Sequence, residues 1–371
     1  MDRNNVAEFL GGKKILVTGG TGSFGRQIVR ELLSQSPAVI CIMSRDEKKQ
    51  YDMQQEYVGR ANSLKFILGD VRDLERTREA FRDIDIVFHA AALKQVPNCE
   101  FAPYEAVRTN VEGAENVRRA AIEHGVDTVV AISTDKAVKP VNVMGMSKAL
   151  QERIMLHPVN GESGTRFVCV RYGNVLGSRG SVIPLFCEHI LKGRPVPITH
   201  PDMTRFQLTL PQAVQLVLLA AVKGESGDLW VRKMPSATVR DLARVLAYGL
   251  TCQEDYPQNI LGTRAGEKMH EVLVSEEEMW RASELEDHFV IPSWAKSLDK
   301  PGVTDGPFSE YASNNVHLLG DSELLDLLRL DGWVSEPGIP GRKARQMAYA
   351  HSDETAADSE KSGSHKLNKA A

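Results

Sequence analysis

The chain has 371 residues, of which 42% are hydrophobic and 25% are charged. This balance excludes a disordered chain and a small disulfide-stapled scaffold, because it leaves enough apolar surface for a sizeable core. The 45 Lys and Arg residues against 49 Asp and Glu give a net charge of −4. Such a surface has no general attraction for polyphosphate backbones or anionic lipids, so neither a nucleic acid nor a membrane partner is expected.

The cysteines and the apolar stretches predict a cytoplasmic location. The 5 cysteines are odd in number and widely scattered, which is typical of reduced packing residues. The stretch MDRNNVAEFLGGKK lacks the apolar core that secretory signals carry. The most apolar later stretch, residues 213–222, is interrupted by Gln215 and is too short to cross a bilayer.

Short β-branched runs alternate with segments of helical length from residue 14 onward. Continuous apolar strands separated by helices predict a parallel sheet covered on both faces, and therefore a doubly wound α/β fold of the Rossmann type. We assign residues 1–175 to this dinucleotide-binding domain. The six predicted strands are 14–18, 38–43, 65–68, 85–89, 128–133 and 166–172, and the longer predicted helices include 24–34 and 104–124.

The pattern changes after residue 175, where prolines become frequent and polar turns separate the helices. We expect a smaller C-terminal α/β part over residues 176–335 that mainly binds substrate, with later segments returning to the first domain. Residues 350–371 are small, polar and charged. They are predicted to form a disordered tail, because they have little apolar surface to bury.

The first predicted strand leads directly into GGTGSFG, which predicts a phosphate-binding loop. Gly19, Gly22 and Gly25 are spaced three residues apart ahead of a helix. This spacing allows a tight turn, close backbone approach to a pyrophosphate and close helix packing, and the helix N-terminus favours negative charge. The alternative is an ordinary glycine-rich turn, but the position in a βαβ unit favours a dinucleotide. Further predicted contacts are Thr21, Ser23 and Phe24.

The end of the second predicted strand favours NADP over NAD as the cofactor. Arg45 precedes Asp46 at the place where an acidic residue would bind the ribose hydroxyls, and a guanidinium group suits a 2′-phosphate. Alternatively, Arg45 is a solvated charge in a run that continues through Lys48 and Lys49. The other residues expected beside the cofactor are Ser44, Lys49, Asp70, Val71, Ala90, Ala91 and Lys94.

The fifth predicted strand is followed directly by Thr134, Asp135 and Lys136, which brings an acid next to a base where open α/β sheets bind their ligands. Met144 and Lys148 follow on a predicted helix, four residues apart and therefore on one face. Lys148 is expected to hold the nicotinamide ribose. The alternatives are a strand-end ion pair for Asp135 and Lys136, and a solvated cation for Lys148.

These motifs together carry a family resemblance. The sequence resembles the extended short-chain dehydrogenase/reductase superfamily and, within it, the UDP-N-acetylglucosamine 4,6-dehydratases that invert C5, including the soluble capsular-polysaccharide type. The resemblance covers roughly residues 13 to 300 in order. The matching stretches are TGGTGSFG, SRDEKKQ, GDVRD, HAAALKQVP, STDKAVKPVNVMGMSK, RYGNVLGSRGSVIP, MTRFQLTL and GTRAGEKMHE.

The resemblance implies a lyase whose tightly bound NADP is restored in each turnover. Hydride leaves C4 of the sugar, the C5 hydrogen becomes acidic, the C6 hydroxyl departs as water, and the hydride returns to C6. By the same resemblance, Lys136 is the base at C5 and Asp135 is the acid at C6, so the amine must be neutral and the carboxyl protonated. Burial and the nearby Lys148 are expected to favour the neutral amine.

Met144 stands where the superfamily has a Tyr that takes the C4 hydroxyl proton. A thioether cannot take a proton, so the acceptor stays open between Lys136 acting twice, Asp135, and a water relay through Thr134. Two alternative functions therefore remain. One is a UDP-sugar 4-epimerase or oxidoreductase of the same superfamily, and the other is a non-catalytic NADP-binding regulator.

The remaining site residues are expected to bind UDP-N-acetylglucosamine or a close UDP-sugar. The resemblance implies an amide near the pyrophosphate, a wall under the uridine, two cations for the diphosphate and a ribose acceptor. The amide is that of Asn174, the wall consists of Arg179 and Val182, the two cations are Arg205 and Arg264, and the ribose acceptor is Glu267.

His270 and Glu271 have no third ligand at metal spacing, so no metal is expected. The amphipathic stretches 102–121 and 148–155 either pack against a second subunit, as in many relatives, or belong to the core. We expect a homo-oligomer whose product feeds the synthesis of a capsule or another surface polysaccharide.

Overall fold

The structure, a computed structural model, describes residues 3–60, 62–158, 164–178, 180–297 and 309–348. The chain forms two compact units. The first takes in the described residues of Met1–Val175, Arg205–Pro235 and Ala265–His317, and the second those of Leu176–Thr204, Ser236–Arg264 and Leu318–Ala371. The segment assigned mainly to substrate binding, 176–335, is thus divided between the units, and the predicted tail lies outside the described residues.

The described elements include strands of two to six residues and helices of four to fourteen. The strands are β1 (Lys14–Thr18), β2 (Val39–Ser44), β3 (Leu64–Leu68), β4 (Ile86–His89), β5 (Thr128–Ile132), β6 (Arg166–Arg171), β7 (Asn174–Val175), β8 (Val196–Ile198), β9 (Thr204–Leu208), β10 (Asp228–Arg232), β11 (Ser236–Thr238), β12 (Gln258–Ile260), β13 (Val272–Val274), β14 (Ser283–Glu284), β15 (His288–Pro292), β16 (Tyr311–Ala312), β17 (Val334–Glu336) and β18 (Ile339–Pro340). The α-helices are α1 (Arg3–Leu10), α2 (Ser23–Leu32), α3 (Glu47–Glu56), α4 (Leu74–Ala80), α5 (Val96–Phe101), α6 (Pro103–Ala106), α7 (Gly113–Glu123), α8 (Val143–Met155), α9 (Val182–Leu191), α10 (Leu210–Lys223), α11 (Val239–Thr251), α12 (Glu276–Met279), α13 (Trp294–Ser297) and α14 (Asp321–Leu330). Short 3₁₀-helices lie at Leu33–Gln35, Val58–Arg60 and Asp135–Ala137, and a π-helix lies at Val107–Glu112.

The first unit is built on one large sheet whose described strands run in the order β3-β2-β1-β4-β5-β6-β10-β15-β14. The strands from β3 to β10 are parallel, and β15 and β14 add an antiparallel edge. The order of the first six strands is that of the Rossmann fold. The six predicted strands all form, and the predicted doubly wound α/β fold is confirmed.

The core of the first unit lies between the sheet and its helices. Central strands are apolar on both faces, and Ile15, Leu16 and Val17 of β1 are all fully buried, as expected of a covered parallel sheet. Helix α2 packs with α10, which also packs with α1, whereas α7 packs with both α4 and α8. Removal of this apolar surface from water is the main stabilising contribution to the fold.

The predicted helix 104–124 is interrupted by the π-helix between α6 and α7. Asn110 lies within this wider turn and is fully buried. Its amide group accepts from the N–H of Leu93 at 2.8 Å and donates to the carbonyl of Leu93 at 2.9 Å and to Ser147 Oγ at 2.9 Å. The irregular turn therefore joins the segment after β4 to α8, a tertiary requirement that local periodicity does not reveal.

The second unit has a smaller core around α11. This helix buries Leu242, Leu246 and other apolar residues, and it packs against α9 and α14. β8 pairs with β12 in parallel, and β17 pairs with β18 as a hairpin. Helices and strands are thus both present in this unit.

Candidate functional site

The candidate site of the first unit lies where parallel strands end. The segments after β1, β4, β5 and β6 all leave the same edge of the sheet, because these strands are parallel neighbours. Open α/β sheets bind their ligands at this carboxyl edge. It brings together the glycine loop, the alanines that follow His89, and the pair Asp135 and Lys136.

The glycine loop requires residues without side chains. Gly19 has φ +67°, and a Cβ on it would lie 2.8 Å from the backbone of Ala90 and Ala91. A Cβ on Gly25 would lie 2.4–2.5 Å from the backbone of Gly20. Gly22 caps α2 without a side-chain hydrogen bond. The loop is therefore shaped so that backbone and a helix N-terminus face a ligand, which is how a phosphate is held.

Two contacts fix the surroundings of this loop. Thr18 Oγ1 hydrogen-bonds His89 Nδ1 at 2.8 Å, and both side chains are buried. Burial and the charge of Lys148 lower the pKa of His89 to about 3, so its ring is neutral. Of the other predicted loop residues, Thr21 is buried and Phe24 stacks on Tyr172 with ring centroids 6.4 Å apart.

The end of β2 shows that some predicted cofactor residues have structural contacts of their own. The Asp46 carboxylate caps α3 by accepting from the Lys49 N–H at 2.9 Å, and it also pairs with the Lys49 amine. Ser44 is buried and accepts from Gln50 Nε2 at 3.1 Å. Arg45 Nη1 lies 3.5 Å from Asp70 Oδ2, and its side chain is 46% exposed. Arg45 is therefore the predicted residue at this strand end that is most accessible to a ligand.

The predicted residues after β3 and β4 differ in exposure. Asp70 accepts from Arg72 Nε at 2.8 Å. Burial on its own would raise the pKa of Asp70, but the hydrogen bonds and charge of Arg72, with Arg45, lower it below its ordinary value. Val71 is buried, Ala90 and Ala91 are half-buried, and Lys94 is exposed. The Asp70 carboxylate is thus held ionised between two guanidinium groups.

Asp135 and Lys136 form the charged centre of the site. The Asp135 side chain is 1% exposed, and its Oδ1 lies 3.1 Å from Lys136 Nζ and accepts from Thr134 Oγ1 at 2.7 Å. Its Oδ2 is buried and accepts no hydrogen bond within the described part of the chain. Lys136 Nζ also donates to Asn174 Oδ1 at 3.5 Å. The predicted acid, base, hydroxyl and amide therefore meet in one place.

The electrostatics correct one expectation about Lys136. Burial lowers the pKa of this amine, but the charges of Asp135 and Glu271 outweigh burial and raise the pKa above its ordinary value. In the ligand-free chain Lys136 is therefore a charged ammonium, and burial with Lys148 does not make it neutral. Glu271 is distant from Lys136 in sequence, so spacing along the chain does not reveal its effect on the amine.

That distant carboxylate, Glu271, was not among the predicted site residues. Its side chain is 3% exposed, and its Oε1 lies 3.3 Å from Lys136 Nζ and 3.7 Å from Arg205 Nε. Lys268 Nζ lies 4.0 Å from Glu271 Oε2 and donates to the carbonyl of Val138 at 2.5 Å. The only sequence signal was its position at the end of GTRAGEKMHE, directly before the apolar run that becomes β13.

Lys148 and Met144 both lie on α8, as predicted, and both are buried. Lys148 Nζ donates to the carbonyl of Ile132 at 2.5 Å and to Gln151 Oε1 at 2.6 Å. Burial lowers the pKa of Lys148 to about 8. Met144 packs in an apolar cluster with Cys99. Its surroundings are thus those of a core residue.

The predicted substrate residues fall into three groups. Asn174 and Arg205 lie beside Lys136 and Glu271, and Arg205 Nη1 also donates to the carbonyl of Met269 at 3.3 Å. Glu267 is half-buried in the first unit. In the second unit Val182 begins α9 and Arg264 is exposed, and Arg179 lies outside the described residues.

The described residues also bear on metal binding and on membrane insertion. No group of three or more His, Cys, Asp or Glu side chains in that part of the chain is arranged to hold a metal ion. No helix there combines the length and apolarity needed to span a bilayer.

Two curated relatives align with most of the chain. The uncharacterized membrane protein MJ1061 of Methanocaldococcus jannaschii is 45% identical over 77% of this chain and 88% of its own length. A UDP-glucose 4-epimerase of Rickettsia conorii is 44% identical over 87% of this chain and 97% of its own length.

Solved structures share the fold of this chain, and a family model matches its sequence. An X-ray structure of Pen from Bacillus thuringiensis superposes with a TM-score of 0.80 at 37% identity, covering 86% of this chain and 99% of that one. The dTDP-glucose 4,6-dehydratase DesIV of Streptomyces venezuelae, with NAD and TYD bound, superposes with a TM-score of 0.62 at 22% identity, covering 69% of this chain and 86% of that one. The family described as polysaccharide biosynthesis protein matches residues 15–293. The chain belongs to the polysaccharide biosynthesis protein family.

Proposed function

We propose that the chain is a lyase that catalyses the 4,6-dehydration of UDP-N-acetylglucosamine with NADP as cofactor. The product would be a UDP-2-acetamido-2,6-dideoxy-4-hexulose, inverted at C5, for a surface polysaccharide. The observation that carries the proposal is the contact of the buried Asp135 with the Lys136 amine, at 3.1 Å. Elimination needs an acid for the departing hydroxyl and a base for the carbon-bound hydrogen, and this pair contains one of each.

The glycine loop supports the cofactor assignment, because a Cβ at Gly19 or Gly25 would collide with backbone. The loop and the N-terminus of α2 would hold the pyrophosphate, Arg45 the 2′-phosphate, and Lys148 the nicotinamide ribose. When bound, NADP would supply hydride chemistry by accepting a hydride from C4 of the sugar and returning it to C6.

The chain's own residues would carry out the proton transfers. Once C4 is oxidised, the neutral amine of Lys136 takes the C5 hydrogen as a proton, and protonated Asp135 gives its proton to the C6 hydroxyl, which leaves as water. Moving one proton from Lys136 Nζ to Asp135 Oδ1 converts the resting ion pair into both of these forms, with no proton from solvent. The elimination then restores the ammonium and the carboxylate. The C4 hydroxyl releases one proton to solvent on oxidation, and one proton taken from solvent onto the opposite face of C5 balances it and completes the inversion.

A UDP-sugar 4-epimerase is the second candidate, because curated relatives at 44% identity carry the name UDP-glucose 4-epimerase. That reaction removes a hydride and a hydroxyl proton at C4 and returns both. It leaves the C5 hydrogen and the C6 hydroxyl in place, so it gives no role to an acid and a base held in contact.

The deciding experiment is turnover of UDP-N-acetylglucosamine by the purified chain in deuterated water. We expect a product lighter by one water with deuterium at C5, detected by mass spectrometry and NMR. An isomer of unchanged mass would instead establish the epimerase. Bound NADP with no turnover of any UDP-sugar would leave the regulator as the remaining function.

The Lys136→Ala chain tests the assigned base in the same assay. We expect turnover to fall by about 10²–10⁴-fold, the usual contribution of general acid–base catalysis, with NADPH fluorescence on binding unchanged. The control is Lys65→Ala, which removes an exposed lysine of β3. Retained turnover in Lys136→Ala would remove Lys136 from the mechanism.

A further inference from the structure

We propose that Glu271 is a positioning residue for Lys136. Its carboxylate holds the Lys136 amine against Asp135 and sets the pH range in which that amine can act as a base. The inference rests on the proposed function, because it takes Lys136 to be the base of the reaction.

The geometry around Lys136 Nζ is the first observation. The amine lies between two buried carboxylates, 3.1 Å from Asp135 Oδ1 and 3.3 Å from Glu271 Oε1. The two acids come from separate parts of the chain, one directly after β5 and the other directly before β13. A lysine with a flexible stem is thereby confined to one position. An amine that must reach one carbon-bound hydrogen benefits from such confinement.

The backbone of Glu271 is fixed independently of Lys136. The Glu271 N–H donates to Ser313 Oγ at 2.9 Å, and the Ser313 N–H donates to the Glu271 carbonyl at 2.8 Å. Directly beyond Glu271, Val272 pairs with Ala312 in the β13–β16 ladder. The carboxylate is therefore presented to the amine by a rigid support, so that Glu271 can impose a position on Lys136.

The charges that face Lys136 decide the sign of the effect. The charges of Asp135 and Glu271 favour the ammonium, and the positive charges of Arg205, Lys94 and Lys268 oppose it. On the neighbouring α8, the Lys148 amine is engaged with Ile132 and Gln151. Loss of the Glu271 charge removes one of the two contacts that raise the pKa of Lys136, so that pKa falls and more amine is neutral at a given pH.

The first experiment compares the ligand-free chain with its Glu271→Gln variant by competitive acetylation, with labelling of Lys136 quantified by peptide mass spectrometry. Only the neutral amine reacts. We expect labelling of Lys136 at about pH 8 to rise several-fold, up to about the factor of ten that one pKa unit brings. The matched control is Glu277→Gln, which removes an equal charge from an exposed position of the same segment and leaves the labelling of Lys136 unchanged.

The second measurement is the pH profile of kcat. The falling limb reports loss of the one proton that Lys136 and Asp135 share, and it is expected to move to lower pH in Glu271→Gln, whereas a merely structural defect would lower kcat by the same factor at every pH. Unchanged labelling of Lys136 together with an unshifted profile would overturn the proposal.

Failure of the proposed function can be told apart from failure of this inference. If the wild-type chain turns over no UDP-sugar, the acetylation of Lys136 still shows whether Glu271 holds the amine charged. If a thermal melt shows that Glu271→Gln does not fold, Glu271→Asp takes its place, since this variant draws the carboxylate back by one methylene and is expected to raise labelling in the same direction.

Discussion

Lys148 illustrates how a single buried side chain of the site opposes stability. It is 6% exposed, and burial lowers its pKa from 10.5 to about 8. At neutral pH the folded chain therefore contains a buried ammonium whose hydration is replaced by two hydrogen bonds, to Ile132 and Gln151. Such a buried charge lowers the stability of the folded chain.

We predict that Lys148→Met stabilises the ligand-free chain at about pH 7 by roughly 1–3 kcal/mol, because a buried charge is removed. Lys148 keeps its proton up to about pH 10.5 in the unfolded chain but only up to about pH 8 in the folded chain. The free energy of unfolding of the wild type therefore rises between these two pH values, and the advantage of Lys148→Met over the wild type becomes smaller. Urea unfolding at both ends of the window measures this difference, with Lys65→Met as an exposed control. An equal loss of stability at both pH values would mean that the two hydrogen bonds dominate.

The connection of β6 to α8 and α12 depends on one buried arginine. The Arg171 side chain is 2% exposed, and its guanidinium donates two hydrogen bonds to Glu152, at 2.6 and 3.0 Å, and two to Glu278, at 2.8 and 2.9 Å. Ser133 also donates to Glu152. Three elements of the first unit therefore share one charge network, and a network of this kind is stabilising only while every member is present.

We predict that Arg171→Met lowers the free energy of unfolding by about 3–5 kcal/mol, since Glu152 and Glu278 lose the guanidinium group that they share. The change in the free energy of unfolding with pH below about pH 5 is also expected to have the opposite sign in the variant. Burial would raise the pKa of Glu278, but Arg171 holds it below its ordinary 4.5, so wild-type stability falls as the pH drops through this range. In the variant Glu278 keeps its burial but loses Arg171, so it gains stability by taking up a proton. Urea unfolding at several acidic pH values measures this difference, and the same slope of unfolding free energy against pH in the wild type and Arg171→Met would contradict this account.

The control for that measurement is Arg78→Met on α4. Arg78 makes comparable contacts with Glu75 and Glu123, but all three side chains are at least 31% exposed. Exposed ion pairs are screened by water and salt, so little change in stability and no change in pH slope are expected.

The proposed nucleotide site lies on the larger unit. The parallel strands share one carboxyl edge, and the glycine loop and Arg45 lie on neighbouring strand ends there. A ligand that binds only the folded unit stabilises it by mass action, by about 2.7 kcal/mol at 100 times its Kd. Thermal unfolding therefore reports cofactor choice without any assumption about the reaction.

We predict that NADP raises the Tm of the nucleotide-free chain more than NAD does at equal concentration. Arg45→Ala is expected to lower the affinity for NADP by about ten- to a hundredfold, because charge-assisted hydrogen bonds of about 1.5–3 kcal/mol are lost. The affinity for NAD is expected to stay unchanged. Arg30→Ala, an exposed arginine on α2, serves as the control. If Arg45→Ala lowers the affinity for both nucleotides equally, Arg45 does not bind the 2′-phosphate.

Local pattern was sufficient for six strands of the larger unit, β1 to β6, and not for β10, β14 and β15 of the same sheet. The six were predictable because a β-branched apolar run and the turn after it are properties of neighbouring residues. The same holds for the glycine loop, since each of Gly19 and Gly25 fills a position where a Cβ would meet backbone. Asp135 and Lys136 were also recognisable, being adjacent in sequence at a strand end.

The charge state of the site depended on contacts that no local pattern contains. Glu271 reaches Lys136 from 135 residues farther along the chain, the π-helix forms because Asn110 has partners at Leu93 and Ser147, and the Arg171 network links β6 to α12. Which carboxylate lies 3.3 Å from an amine is set by how the sheet and its returning segments pack. Electrostatic energies vary steeply over such distances, so the acid–base behaviour of Lys136 follows from the folded arrangement and the elements follow from the sequence.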